Sequence, residues 1–181
     1  MYRVVTIKPF AKPKHIAAFR SDMELTPAAV TDEHRWVRER ADTIVPLINE
    51  TRRRLGELFD TRVGEVDEAA YLAAVDEVFA EGDVGVNVAA YVRILRELDV
   101  EDDYPGFVVD EVLGRKLAAT IAGGDPLGLL AEATFHFADV AVHNDGPAGL
   151  DDLDAALAAG FQTILPGWSW RERDSPFDST L

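Results

Sequence analysis

The chain has 181 residues, 48% of them apolar, no cysteine and a formal net charge of −15. That length and apolar content suit one domain with its own core. The missing cysteine excludes disulfides, thiolate metal sites and cysteine nucleophiles together, and the acid surplus makes the body a poor match for nucleic-acid phosphates.

The charge is unevenly distributed. Residues 1–20 carry Arg3, Lys8, Lys12, Lys14 and Arg20 and no acid, whereas the remaining 161 residues carry 13 basic and 33 acidic side chains. Aspartate outnumbers glutamate 19 to 14, and Lys116 is the one lysine outside the first twenty residues. Such a composition fits adaptation to high salt, where screening weakens self-repulsion. A high-GC genome, which favours Ala, Arg, Gly and Asp, explains it equally well.

Tyr2–Lys8 reads as a strand, because β-branched Val4, Val5, Thr6 and Ile7 precede Pro9, which stops it. Pro9, Pro13 and Pro27 then break up an arm that extends to residue 30. The strand's backbone donors and acceptors need a partner. "GFQTILP" at 160–166 is the best one within the chain, and another chain is the alternative.

Helical periodicity begins next. Thr31 or Asp32 is placed to cap a helix towards Ala41. A second helix is expected over 44–59, with Ile44, Ile48, Leu55 and Phe59 on one face and a break at Asp42–Thr43, because Pro46 belongs near a helix start. Arg53 and Arg54 point away from that face and Arg52 lies at its flank. Surface pairing with Glu50 and Glu57 is the expected role of "TRRRL".

Asp67 caps a helix through Tyr71, Leu72, Val75, Val78 and Phe79 that Gly82 stops, and Asn87 caps the next. Residues 97–111 hold seven acids and no base, either a solvated linker or a docking surface for a basic partner. A helix over 105–122 ends at Gly123–Gly124, and Asp125–Pro126 opens another to about Val142. Within it "TFHFADVAV" also alternates at period two and is open to a strand reading. Asp151 caps a short helix that ends at Gly160.

The fold class is therefore mainly α: a bundle of about five to seven helices over 31–160, an N-terminal strand and arm over 1–30, and an extended tail over 161–181. No apolar run approaches the ~18 residues of a membrane span, and no signal-peptide pattern opens the chain. The expected location is the cytoplasm or a virion.

The residues that bear on chemistry are few. His136, Asp139 and His143, with Asp145 close by, are candidate metal ligands, since imidazole and carboxylate suit Zn or Fe and 136, 139 and 143 lie near one helical face, with Glu132 a possible further partner. The H-x2-D-x3-H spacing is not a known metal signature, and a partly buried histidine beside Phe135 and Phe137 is the plainer reading. Asp151, Asp152 and Asp154 read as helix-terminal acids rather than a magnesium cluster, because residues 117–170 supply no Lys or Arg to clamp a phosphate. "AGGDPLG" lacks the Lys-Ser/Thr of a phosphate-binding loop. There is no G-x-S-x-G elbow, the four histidines form no triad, and Lys116 has no support as a Schiff base. No catalytic residue and no cofactor is assigned.

Trp168 and Trp170 lie in a tail that cannot form its own core, so they must pack on the bundle or anchor in a neighbour. Together with Arg3, Lys8, Lys12, Lys14 and Arg20 they are the expected partner-binding residues. The leading functional expectation is a non-enzymatic assembly subunit whose partners are copies of itself or other subunits, such as a ring-forming connector of a viral particle. A metal-dependent enzyme centred on His136 and His143, and an acidic inhibitor or immunity-type protein, are the alternatives.

Overall fold

The computed structural model describes residues 23–98, 109–142 and 148–169. Among them are seven helices: α1 Pro27–Glu39, α2 Ala41–Leu58, α3 Glu68–Ala80, α4 Gly82–Glu97, α5 Val109–Ala122, α6 Leu127–Asp139 and α7 Ala148–Ile164. The bundle expected from periodicity is present. Among the described residues the β-structure is one isolated antiparallel bridge, Val63 to Trp168. The expected strand at Tyr2–Lys8 lies outside the described residues.

Helix α7 is the axis of the bundle and packs against α2, α3, α4, α5 and α6. Every residue from Leu153 to Thr163 is buried, and the only polar side chains in that run are Asp154, Gln162 and Thr163. A helix that is apolar on all sides belongs inside. Two expectations are corrected here. The helix does not stop at Gly160, and "GFQTILP" is helical through Ile164, so it cannot serve as a partner strand for the arm. Gly160 is a packing glycine: a Cβ there would lie 2.8 Å from Ile121 Cβ and 3.0 Å from Ala118 O. Its missing side chain lets α5 approach α7 closely.

Other boundaries shift for local reasons. Helix α1 starts at Pro27, not near Thr31, because Thr26–Pro27 is itself a cap followed by proline at the first helical position. Thr26 Oγ1 accepts from Ala29 N at 3.1 Å. The break before α2 falls at Arg40, and Pro46 lies in the second turn, where the bond it forgoes would reach the carbonyl of exposed Asp42. Asp67 caps α3 as expected, accepting from Ala70 N at 2.8 Å. Helix α4 begins at Gly82 rather than Asn87. The turn into it is tight because Gly85 lies against the backbone of Phe79, where a Cβ would come within 2.7 Å of the carbonyl oxygen. Residues 133–139 are helical, which removes the strand alternative.

Helices α1, α3 and α4 are tied by charges as well as by apolar contact. Glu33 is buried and meets Arg96 at 2.5 Å, and His34 Nε2 lies 2.8 Å from Asp76 while its ring stacks on Phe79. Arg38 pairs with the same Asp76 and holds its carboxyl below the usual range.

Candidate functional site

Three clusters of charged side chains lie where helices meet. The first contains the sequence's metal candidates. His136 and Asp139 fall in the last turns of α6, beside the first turns of α5 and α7. His136 Nε2 lies 2.9 Å from Arg115 Nη2 and 3.3 Å from Glu111 Oε1, and Arg115 also pairs with Glu111. Its ring therefore faces an ion pair on α5 rather than Asp139. Glu132 is turned to Lys116 at 2.7 Å. That contact raises the Lys116 ammonium above its ordinary value, the opposite of what an amine nucleophile requires. His143 lies outside the described residues. Among the described residues no three His, Asp or Glu side chains converge to hold a metal ion.

The same corner gathers carboxylates. Asp110 and Glu111 lie in the first turn of α5, Asp151 in that of α7 with Asp152 just after it, and Asp139 at the end of α6. Burial, then the charges of Asp110 and Asp139, push the Asp152 carboxyl up to about 7. Burial also raises Asp139. Helix N-termini favour the acids on α5 and α7, whereas Asp139, at a helix C-terminus, has no such help.

The second cluster is an ion pair beneath a surface groove. Arg40 Nε donates to Asp154 Oδ1 at 2.7 Å, and its Nη2 bonds Oδ2, so the pairing is bidentate. Asp154 is 0% exposed and Arg40 21%. Arg40 also lies over the Trp36 ring at 4.9 Å, with Arg96 at 4.5 Å from the same ring. Buried Tyr71 donates to Val37 O at 3.0 Å; desolvation, then the charge of Asp154, raises its phenol. A groove of about 470 Å³ runs past this pair, lined by Thr43, Pro46, Leu47 and Glu50 on α2 and by Ala141 and Val142 after α6.

The third cluster decides the place of the first tail tryptophan. Arg52 is 1% exposed. Its Nη1 donates to Gly64 O at 2.9 Å and Pro166 O at 2.7 Å, and its Nη2 to Gln162 O at 2.8 Å and Leu165 O at 3.1 Å. The guanidinium thus caps the carbonyl end of α7, where a cation is favoured by the helix dipole. Trp168 closes over it, 5% exposed, with its ring 5.7 Å from the guanidinium and its indole N–H donating to Gln162 O at 2.8 Å. Gly64 N donates to Gly167 O at 3.0 Å beside the Val63–Trp168 bridge. Of the two roles open to Trp168, packing on its own bundle is the one this geometry supplies. Trp170 lies outside the described residues, as do Arg3, Lys8, Lys12, Lys14 and Arg20.

The remaining arginines of "TRRRL" behave as expected. Arg53 bridges Glu50 and Glu57, and Arg54 reaches Glu50 at 2.7 Å. The bond to Arg53, then that to Arg54, lowers the Glu50 carboxyl to about 2. Sequence reasoning missed the central parts played by Arg52, Arg40, Asp154 and Glu33. A signal existed for Arg52, which follows Ile48 by four and precedes Leu55 by three, on the buried stripe of α2.

The family model described as "Domain of unknown function (DUF7984)" matches residues 23–181, and the chain belongs to that family. No curated protein and no solved structure matches it. The match begins at residue 23, so the basic arm lies outside it.

Proposed function

We propose that this chain is a non-enzymatic subunit of a larger protein assembly, in which the arm bearing Arg3, Lys8, Lys12, Lys14 and Arg20 lies on the acidic helical body of a second copy. The supporting observation is how most of the body's described basic side chains are engaged, with Arg62 exposed. Arg35 pairs with Asp32, Arg38 with Asp76, Arg40 with Asp154, Arg53 and Arg54 with Glu50, Arg93 and Arg96 with Glu33, Arg115 with Glu111 and Lys116 with Glu132. Arg52 is enclosed by carbonyls. Many of the described acids left over face water. Around α3 alone, Glu65, Asp67, Glu68, Glu77, Glu81 and Asp83 are exposed. A body of this kind repels copies of itself and attracts a basic segment.

A contact between the arm of one copy and the body of the next is head-to-tail, so it closes into a ring or propagates. A ring of the kind formed by viral connectors is the concrete arrangement we have in mind. High salt would lower the self-repulsion of the bodies and weaken the arm contact together.

Light scattering of the full chain and of a chain lacking residues 1–20, each across a salt series, tests this. The expected result is a multimer at low salt whose mass falls on deletion. A monomer in both chains contradicts the proposal. An acidic inhibitor differs in one respect: its body would capture a basic protein whether or not the arm is present.

A further inference from the structure

We propose that the cavity between Trp36, Leu95 and Leu150 binds a small ionised carboxylic acid, its carboxylate held by Arg40 and Arg96 and its apolar part lying on the leucines. The cavity measures about 250 Å³, and those five residues line it. Its charged lining is two guanidiniums and no acid. The groove described above, which shares Arg40, has Glu50 and Asp154 on its wall. In a chain with 33 acidic and 18 basic side chains, a concave surface with that balance selects an anion.

The geometry keeps donors for that anion. Both guanidiniums lie over the Trp36 ring, Arg40 at 4.9 Å and Arg96 at 4.5 Å, so cation–π attraction brings the two charges to one place. Each is also gripped along part of its edge by a buried carboxylate. Arg40 commits Nε and Nη2 to Asp154, and Arg96 commits Nη1 to Glu33 at 2.5 Å. A guanidinium carries donors on all three of its nitrogens. Arg40 Nη1 and Arg96 Nε and Nη2 donate to no described group. Asp154 is 0% exposed and Glu33 4%, and neither lines the cavity. They fix the arginines without filling the place of a ligand. Arg93 lies 4.0 Å from the same Glu33, so Arg96 does not have that counter-ion to itself.

Size and charge narrow the occupant. Pockets for drug-sized ligands run from about 300 to 1,000 Å³, so this one suits a smaller molecule. Guanidinium forks match carboxylate and phosphate alike. The net charge of −15 opposes a phosphate, with nearly two charges, more than a carboxylate with one. Leu95, Leu150 and the Trp36 ring offer apolar surface that a hydrocarbon body covers and a phosphate does not. No part of the site belongs to the arm or depends on assembly.

Benzoate is the probe, titrated into the full chain at fixed ionic strength. The indole N–H signal of Trp36, identified by its loss in Trp36→Phe, is followed by NMR. A saturating shift with a Kd of about 1 mM or below is expected. Acetate, which keeps the carboxylate and lacks the ring, should bind about tenfold more weakly or worse. Inorganic phosphate should give no saturating shift. Arg96→Gln should weaken benzoate about tenfold or more. Leu150→Trp, which fills the cavity and keeps both cations, should do the same. Arg35→Gln removes an equal charge from an exposed position on α1 and should leave the affinity within about twofold. The proposal is overturned if benzoate gives no saturating shift, if acetate or phosphate matches it, if Arg96→Gln or Leu150→Trp binds as the wild type does, or if Arg35→Gln weakens binding as much as Arg96→Gln. Should Arg96→Gln fail to fold, the wild-type series and Leu150→Trp decide the matter.

Discussion

Replacing Arg52 with alanine should be among the most damaging single changes in the body. The side chain is 1% exposed and gives four hydrogen bonds, at 2.7–3.1 Å, to the carbonyls of Gly64, Gln162, Leu165 and Pro166. Each buried acceptor left unpaired costs about 1–3 kcal/mol. Water entering the vacated space recovers part of that, and removing the guanidinium also removes its own desolvation cost. The net expectation is about 3–5 kcal/mol, against a total stability on the order of 5–15 kcal/mol. In a chain of this size that lowers Tm by about 6–20 °C. Arg52→Lys keeps the charge but places all its donors on one nitrogen, which cannot reach both Gly64 and the α7 carbonyls, so it should recover only part of the loss. Urea unfolding at fixed salt is the assay, followed by helical signal, with emission of a chain carrying Trp36→Phe and Trp170→Phe, in which Trp168 is the remaining tryptophan, reporting release of the tail. Arg53→Ala, an exposed change one residue away, should leave the midpoint where it is. A wild-type midpoint for Arg52→Ala, or equal losses for Arg52→Ala and Arg53→Ala, would refute the reasoning.

Arg40→Ala should destabilise by about 3–5 kcal/mol because it leaves Asp154 charged and enclosed, while Arg40→Met with Asp154→Leu should restore much of the loss. A double-mutant cycle by urea denaturation measures the coupling. Gly160→Ala should cost about 1–3 kcal/mol through collision with Ile121 and Ala118. Gly124→Ala, where a Cβ meets nothing within 4 Å, should be neutral or stabilising by up to about 1 kcal/mol. The two midpoints, measured side by side, check the contrast. Thr26→Ala should lower stability by about 1 kcal/mol through the lost cap of α1, read as a smaller helical signal or an earlier midpoint.

The helical class was legible because the 3.6-residue period is a property of each segment alone. Tyr71, Val75 and Val78 announced α3, and Asp67 announced its start. What failed was inference from residues whose meaning depends on a neighbour in space. Gly160 looks like a helix stop until α5 is placed against it. Arg52 looks like one of three surface arginines until the end of α7 arrives with its carbonyls. His136 and Asp139 share a helical face in projection, yet α5 brings Arg115 and Glu111 to the histidine first. Asp151 was expected to cap α7, but the helix begins three residues earlier at Ala148, and the company of Asp151 and Asp152 with Asp110 and Asp139 joins three helices that no local pattern connects.

Zero-length coupling of amines to carboxylates tests the proposed assembly most directly, applied to a mixture of isotopically light and heavy full-length chains. The expected result is mixed-isotope peptides joining Lys8, Lys12 or Lys14 of one copy to acids of the helical body of another, lost at high salt. Arm peptides joined only to their own copy, or not joined to the body at all, would contradict it.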